Sequence, residues 1–364
     1  MVRVTLQTVA DAVGVSRMTV SNAFSRPSRL SAELRERILS VAEELGYAGP
    51  DPAARAFARG STGVVGILVT SRLRDVFADE VSSAFLGGIA DGLTGSGLSL
   101  ALLSTQEEVA GRVPARDVPM DATLVYTYRY DADSLQWLRR RGLPLVLLDQ
   151  QPIPGIASVN IDDHGGARQA AEHLLQLGHR RIGIVTIGLT EPFGVQDDPF
   201  AEPAADDVYI ARQRIKGWLD VCHGAGVRPV LVKQPKMPYQ PESDGHAALN
   251  AMLDRDPGIT GVLCYSDRFA HGVLAAAHDR GMRVPDDLSI IGFDDSPMAT
   301  NLRPPLTTVR QDPTEKGQVA AALLIAAIRS DQDVQLSDKH PDENHQRLLP
   351  TRLIVRASTA GPRH

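Results

Sequence analysis

Apolar positions recur at helical spacing through the first 46 residues. Thr5 is placed to cap a helix over 6–13, in which Leu6, Val9, Ala10 and Val13 form one stripe and Gly14 is the stop. Ser16 caps a second helix over 17–24, with Val20, Ala23 and Phe24 turned inward. Ser31 caps a third, with Leu34, Ile38, Val41, Ala42 and Leu45 on one face and Gly46 as its stop. The short turn at Gly14 between the first two helices predicts a helix-turn-helix unit. Beyond Tyr47, Pro50 and Pro52 disfavour helix before them, and Gly60 and Gly63 loosen the chain after them. The stretch 53–59 between them can form a helix of under two turns, too short to be stable alone.

From Val64 the pattern changes to buried apolar runs alternating with helical stretches. Strands are predicted for VVGILVT (64–70), LSLALLS (98–104), ATLVYT (122–127), LPLVLLD (143–149), IGIVTI (182–187), PVLVK (229–233), GVLCYS (261–266) and LSIIGFDD (288–295), with a last strand in RLIVRAS. Helices are predicted over 80–93, 132–141, 165–177, 209–224, 245–253 and 269–280. This alternation predicts parallel doubly wound sheets. The units are too many for one small sheet, and SVNIDDHGG (158–166) reads as a crossing between two.

Length and composition narrow the class. The 364 residues are 43% hydrophobic and 23% charged, enough for two or three ordered domains and unlike a disordered chain. Cys222 and Cys264 cannot supply a disulfide framework or a four-ligand zinc site, and read as buried thiols. The longest apolar run, 319–328, is too short to span a bilayer, and the N-terminus lacks an apolar signal core, so a cytoplasmic protein with no membrane partner is expected. The net charge of −6 is unevenly spread. Residues 1–60 carry eight Arg against six acids, a net of +2, whereas the remainder carries 30 basic against 38 acidic groups, a net of −8. A weakly basic head on an acidic body is compatible with an appended nucleic-acid module.

The second helix has the chemistry for such a module. Its polar face carries Arg17, Met18, Ser21 and Asn22 near the N-terminal end. Arg can grip guanine through two hydrogen bonds, Asn can do the same to adenine, and Met suits a thymine methyl. Ser16, Thr19, Ser21 and the helix N-terminal amides suit phosphate oxygens. In the body, ligands of open parallel sheets lie at the carboxyl ends of strands. That rule selects Asp149, Ser266, Asp267, Asp294 and Asp295, with Arg214 on a cleft-facing helix. Carboxylates and a guanidinium fork suit a hydroxyl-rich ligand. Phe77 and Tyr128 are candidate apolar walls, whereas Asp267 and Asp295 can equally be helix-start caps. The sequence contains no G-x-S-x-G, no P-loop and no G-x-G-x-x-G after a strand. No enzyme activity, cofactor or metal is expected.

The runs VTLQTVADAVGVSRMTVSNAF and RLSAELRERILSVAEELGY closely resemble the headpiece of the LacI (lactose repressor) family of bacterial transcription regulators. LLQLGHRRIGIV, ARQRIKGW, VPDDLSIIGFDD and PPLTTVRQ match its core blocks. The resemblance implies a helix-turn-helix headpiece at 1–49, a hinge helix at 50–62, and a periplasmic-binding-protein-like α/β core of two doubly wound parallel-sheet lobes at 63–360. Lobe one is expected at about 63–160 and 296–322, lobe two at about 161–295 and 323–358. It implies base readers at Arg17, Met18 and Asn22, the last a departure from the usual Arg. It also implies a minor-groove wedge at Phe57, where the family has Leu. Ala53 lies on the same hinge helix and Arg55 near phosphates, and together with Thr5 these complete the expected DNA-contacting set. The positions matching Asp149, Arg214, Ser266 and Asp294 line the family's effector pocket.

The implied function is an allosteric transcriptional regulator, a repressor, that binds pseudo-palindromic operator DNA and a sugar or other polyhydroxylated effector. A homodimer is expected, since no heptad-bearing tail follows the last strand. The alternative, a stand-alone solute-binding protein, would need a secretion signal and no headpiece. Two insertions depart from the family pattern. The acidic, Pro-rich 189–207 reads as a surface loop, and 330–346, with His340 and His345, as a solvated loop rather than a metal site.

Overall fold

The computed structural model describes residues 4–70, 72–105, 112–126, 132–204, 207–236, 239–334 and 345–363. The chain forms two compact units, Met1–Gly63 and Val64–His364.

The first unit is helical: α1 (Leu6–Val13), α2 (Arg17–Ser25), α3 (Ala32–Glu44) and α4 (Pro52–Arg59). Its core is Val9, Ala10, Val13, Val20, Ala23, Ile38 and Ala42, closed at one end by the edge-on contact of Phe24 with Tyr47, ring centroids 5.8 Å apart. The caps fall where expected. Gly14 takes φ 79°, a conformation costly for other residues, and ends α1 so that α2 can start three residues later. Two of the head's arginines are used internally. Arg37 donates to the Val13 carbonyl at 2.9 Å and Arg35 to the Ala23 carbonyl at 3.2 Å, so α3 satisfies carbonyls near the ends of α1 and α2. The short α4 is a full helix because both ends are capped. Asp51 accepts from the Ala53 and Ala54 amides at 2.8 and 3.3 Å, Pro52 occupies the first turn, and Gly60 closes the end in the left-handed conformation.

The second unit contains two sheets. Among the described residues, sheet one runs β12-β5-β4-β3-β1-β2 and is entirely parallel. Its strands are β1 (Val64–Val69), β2 (Ser99–Ser104), β3 (Ala122–Tyr126), β4 (Leu145–Leu148), β5 (Ala157–Ile161) and β12 (Gln346–Leu349). Sheet two runs β13-β11-β10-β9-β6-β8-β7. It comprises β6 (Ile182–Gly188), β7 (Gly194–Val195), β8 (Val230–Pro235), β9 (Gly261–Cys264), β10 (Ser289–Asp294), β11 (Thr307–Arg310) and β13 (Arg352–Ile354), parallel except for β7 and β13 at its edges. Helices flank both sheets. In lobe one, α6 (Glu80–Leu93) lies against α14 (Pro313–Val334) at backbone distance. A Cβ on Gly88 would stand 2.2 Å from the Thr314 carbonyl oxygen, and one on Gly317 2.4 Å from that of Phe85.

This topology corrects the expected lobe boundaries. β11 belongs to sheet two, α14 packs on lobe one, β12 adds to lobe one and β13 returns to lobe two. The chain therefore changes lobe after β5, after β11 and after β12. Neither 296–322 nor 323–358 belongs wholly to one lobe, because strand pairing, not sequence order, decides membership. Insertion 189–207 is also more than a surface loop. It contributes β7 to the sheet edge, and its Asp207 accepts from the Leu189 and Val208 amides at 2.6 and 2.8 Å. Most of 330–346, His340 included, lies outside the described residues, and β12 starts at Gln346. Cys222 and Cys264 are buried free thiols, and burial pushes Cys222 up to about 11. Among the described residues no helix is long and apolar enough to cross a membrane.

Candidate nucleic-acid interface and ligand cleft

In the helical unit, α2 exposes Arg17 and Met18, with Ser21 and Asn22 half-buried beside them. The N-terminus of α2 is built locally. Ser16 Oγ accepts from the Thr19 amide at 3.1 Å and lies 2.8 Å from the Thr19 hydroxyl. Thr5 does the same for α1, in a reciprocal capping box with Thr8. Thr5 and Ser16 thus act as caps, and α2 has no acid in its first turn to oppose a phosphate. On α4, Ala53 and Phe57 are one turn apart on the exposed side, Arg55 is half-buried, and Phe57 is 91% exposed.

In the α/β unit, residues from both lobes converge on one narrow cleft of about 30 Å³, partly open to solvent. Lobe one contributes Asp79, Val81, Tyr126, Asp149 and Lys316; lobe two contributes Ile210, Arg214, Tyr239, Tyr265, Ser266 and Asp294; Ile161 and Gln311 come from the crossings. The carboxyl ends of β4 and β10 are sharp. Asp149 and Asp294 take φ 53° and 114°, and with Asp295 at 55° they are the non-glycine residues of positive φ among those described. Strained backbone at strand ends is a mark of a working site, and Asp tolerates it better than most residues.

The buried charges form two groups. Lys316 Nζ donates to Asp149 Oδ2 at 2.5 Å, with both side chains buried. The Lys316 charge is held above the ordinary lysine value: burial opposes it, and Asp149 more than compensates. Arg214, on α10 (Tyr209–Gly224), donates from Nε to Asp163 at 2.8 Å and from Nη1 to the Tyr265 carbonyl at 2.5 Å, and its Nη2 lies 3.7 Å from Asp294. Its guanidinium stacks 3.5 Å from the Phe293 ring centroid. Burial works against the Arg214 charge, and Asp163 and Asp294 outweigh it, so its pKa stays above the ordinary arginine value. Burial pushes the Asp163 carboxyl up to about 6 and Asp294 well above the usual carboxylate range, with Arg214 opposing both. Gln311 Nε2 donates to Asp294 Oδ1 at 2.7 Å.

The profile of bacterial regulatory proteins of the lacI family matches residues 5–49, and that of the periplasmic binding protein-like domain matches residues 171–359. An HTH-type transcriptional regulator of Mycolicibacterium smegmatis is 37% identical over 333 residues, 88% of this chain and 90% of its own length. The chain belongs to the LacI family. It is a helix-turn-helix DNA-binding transcriptional regulator joined to a periplasmic-binding-protein-like core. Two solved structures are similar to it at 25% identity. The CelR-cellobiose complex has a TM-score of 0.69, covering 98% of this chain and 100% of its own. A LacI family regulator from Enterococcus faecium with bound ribose has a TM-score of 0.64, covering 82% and 99%.

Against this LacI-type frame, four of the expected pocket residues, Asp149, Arg214, Ser266 and Asp294, meet in the cleft. Ser266 also caps α12 (Asp267–Asp279), accepting from the Phe269 amide. Phe77 does not join them. It lies on α5 (Leu73–Ala78), which buries Val76, so its neighbour one position on is turned about 100° away and is 58% exposed. Tyr128 lies outside the described residues. Asp267 and Asp295 are structural. Asp267 accepts from Thr308 and the Ser296 amide, and burial raises its carboxyl to about 7; Asp295 pairs with Arg310 and Arg356 at 2.5 Å each.

Several residues of the LacI-type cleft were not anticipated. Tyr126, Tyr265 and Gln311 sit at or just past the ends of β3, β9 and β11, so the strand-end rule reaches them once those strands are known. Lys316 heads a buried stripe with Ala320 and Leu324, a lysine at the start of an apolar helix face. Asp163, on the first turn of α9 (Asp163–Gln176), is legible only as the partner of Arg214.

Proposed function

We propose that this regulator is a homodimeric repressor whose affinity for a pseudo-palindromic operator is set by a small polyhydroxylated effector bound between the core lobes. In this reading the three parts are the headpiece at 1–49, the hinge at 50–62 and the core beyond. α2 reads base edges with Arg17, Met18 and Asn22, and Ser21, Thr19 and the helix amides meet phosphates. Two hinge helices pair in the minor groove, with Phe57 unstacking a base step where the family uses Leu. Asn22 in place of the usual Arg favours adenine where relatives select guanine. The effector changes lobe closure, and closure changes how the hinge helices pair.

One observation carries the effector half of this reading: Asp149, Arg214, Ser266 and Asp294, from both lobes, converge on one cleft, in a chain that also presents a capped reading helix. The sugars in the CelR and Enterococcus faecium structures support the ligand class. The test is operator binding by fluorescence anisotropy during titration with sugars and polyols. A ligand that changes the operator affinity of the wild type, in either direction, is expected to leave that of Arg214→Ala unchanged. A normal response in the variant removes Arg214 from the effector site.

A further inference from the structure

Helix α2 is held by more than the apolar core. The side chains it buries there are Val20 and Ala23, three residues apart and so on one narrow line along its axis. Nine residues with so small a footprint leave the tilt of a helix soft. Two arginines of α3 act on the backbone around it. Arg35 Nε donates to the Ala23 carbonyl at 3.2 Å, and Arg37 Nη2 to the Val13 carbonyl at 2.9 Å.

The sequence explains why both carbonyls are available. A continuing helix would bring Ala23 the amide of residue 27, and that residue is Pro27, which has no N–H. Val13 is the last residue of α1, so the helix supplies its carbonyl with no amide either. Arg35 and Arg37 are two positions apart on α3, rotated about 200° from each other, so one reaches the end of α2 and the other the end of α1. Together they pin the C-terminal end of α2 and the start of the turn that precedes it. Arg17 and Ala23 are six residues apart. That is about 9 Å along the axis, so a tilt of about 10° at Ala23 moves the Arg17 end by about 1.6 Å. A bidentate contact to a base edge does not survive such a shift, whereas phosphate contacts, governed by charge, largely do.

On the reading of α2 as the base-reading element, we propose that Arg35 and Arg37 are positioning residues for operator specificity. They hold α2 at the angle at which Arg17, Met18 and Asn22 meet base edges, and act through its backbone rather than on the bases.

The test is fluorescence anisotropy of the full chain with labelled duplexes: one selected by the wild type from a randomised pool, its single-base variants, and a scrambled sequence of the same composition. Arg35→Met is expected to lower the ratio of selected to scrambled affinity by about tenfold, and Arg37→Met by severalfold. Arg35→Lys, which keeps the charge and a donor, is expected to restore most of the ratio. Loss of one charge, or partial unfolding of the headpiece, weakens both duplexes alike and leaves the ratio where it was. An Arg35→Met variant with an unchanged ratio and a shallower salt dependence places Arg35 on a phosphate and overturns the proposal. If Arg17→Ala relaxes single-base preference while Arg35→Met and Arg37→Met do not, the positioning role falls and α2 remains the base reader. If all three variants leave the preference unchanged, or the wild type selects no sequence, both fall.

Discussion

The Asp149–Lys316 pair permits a quantitative test of how the core tolerates charge. Lys316→Met keeps the length of the side chain and removes its ammonium. Nζ lies 2.5 Å from Asp149 Oδ2, with side chains 2% and 3% exposed, so water cannot replace the lost partner. Oδ1 is already without one among the described residues, so the variant strands a carboxylate with neither oxygen satisfied. Removing one member of a buried pair costs about 3–5 kcal/mol. Asp149→Leu strands the ammonium instead and is expected to cost a similar amount. The double variant strands nothing, and apolar replacement of a buried pair is often neutral or stabilising by about 1–4 kcal/mol. The double-mutant cycle should therefore show a coupling of several kcal/mol, far outside the roughly 0.5 kcal/mol scatter of independent sites. Urea unfolding followed by tryptophan fluorescence reads the core alone, since Trp137 and Trp218, the two tryptophans of the chain, both lie beyond residue 63. Additive single-variant costs, or a Lys316→Met variant as stable as wild type, would refute the reasoning.

Three further outcomes are expected. Gly88→Ala puts a methyl 2.2 Å from the Thr314 carbonyl, forcing α6 from α14. It should cost about 1–3 kcal/mol by overpacking and weaken any cleft ligand by moving Lys316; an unchanged urea midpoint counts against this close packing. Burial raises Asp163 from 3.8 to about 6, so the stability linked to that proton is present below 3.8 and lost as pH rises through 6. The amide of Asp163→Asn does not titrate, so the wild type should gain about 1 kcal/mol on that variant between pH 7 and 5; a gap independent of pH is the contrary result. Arg17→Ala should relax base preference at one position of each operator half-site, by about 1–3 kcal/mol; a gel-shift series with unchanged preference everywhere would remove Arg17 from base reading.

The features legible in the sequence are local. Helix stripes, caps and turn glycines act within a few residues, so α1 to α3 were legible from Thr5, Gly14, Ser16, Ser31 and Gly46, and the alternation of apolar runs was enough for doubly wound sheets. The strand-end rule found Asp149, Ser266 and Asp294 for the same reason: each directly follows an apolar run. Features that depend on distant partners were not legible there. Lobe membership of β11, β12 and β13 follows from strand pairing, and the burial of Lys316 from Asp149, 167 residues away in sequence. Among the described residues, Asp149 Oδ1 and Gln311 Oε1 have no hydrogen-bond partner, since Lys316 and Asp294 each engage only the other side of these groups, a balance set by three-dimensional packing. Phe77 was misplaced because hydrophobicity names a candidate wall, while the rotation of α5 around Val76 decides which way the ring faces.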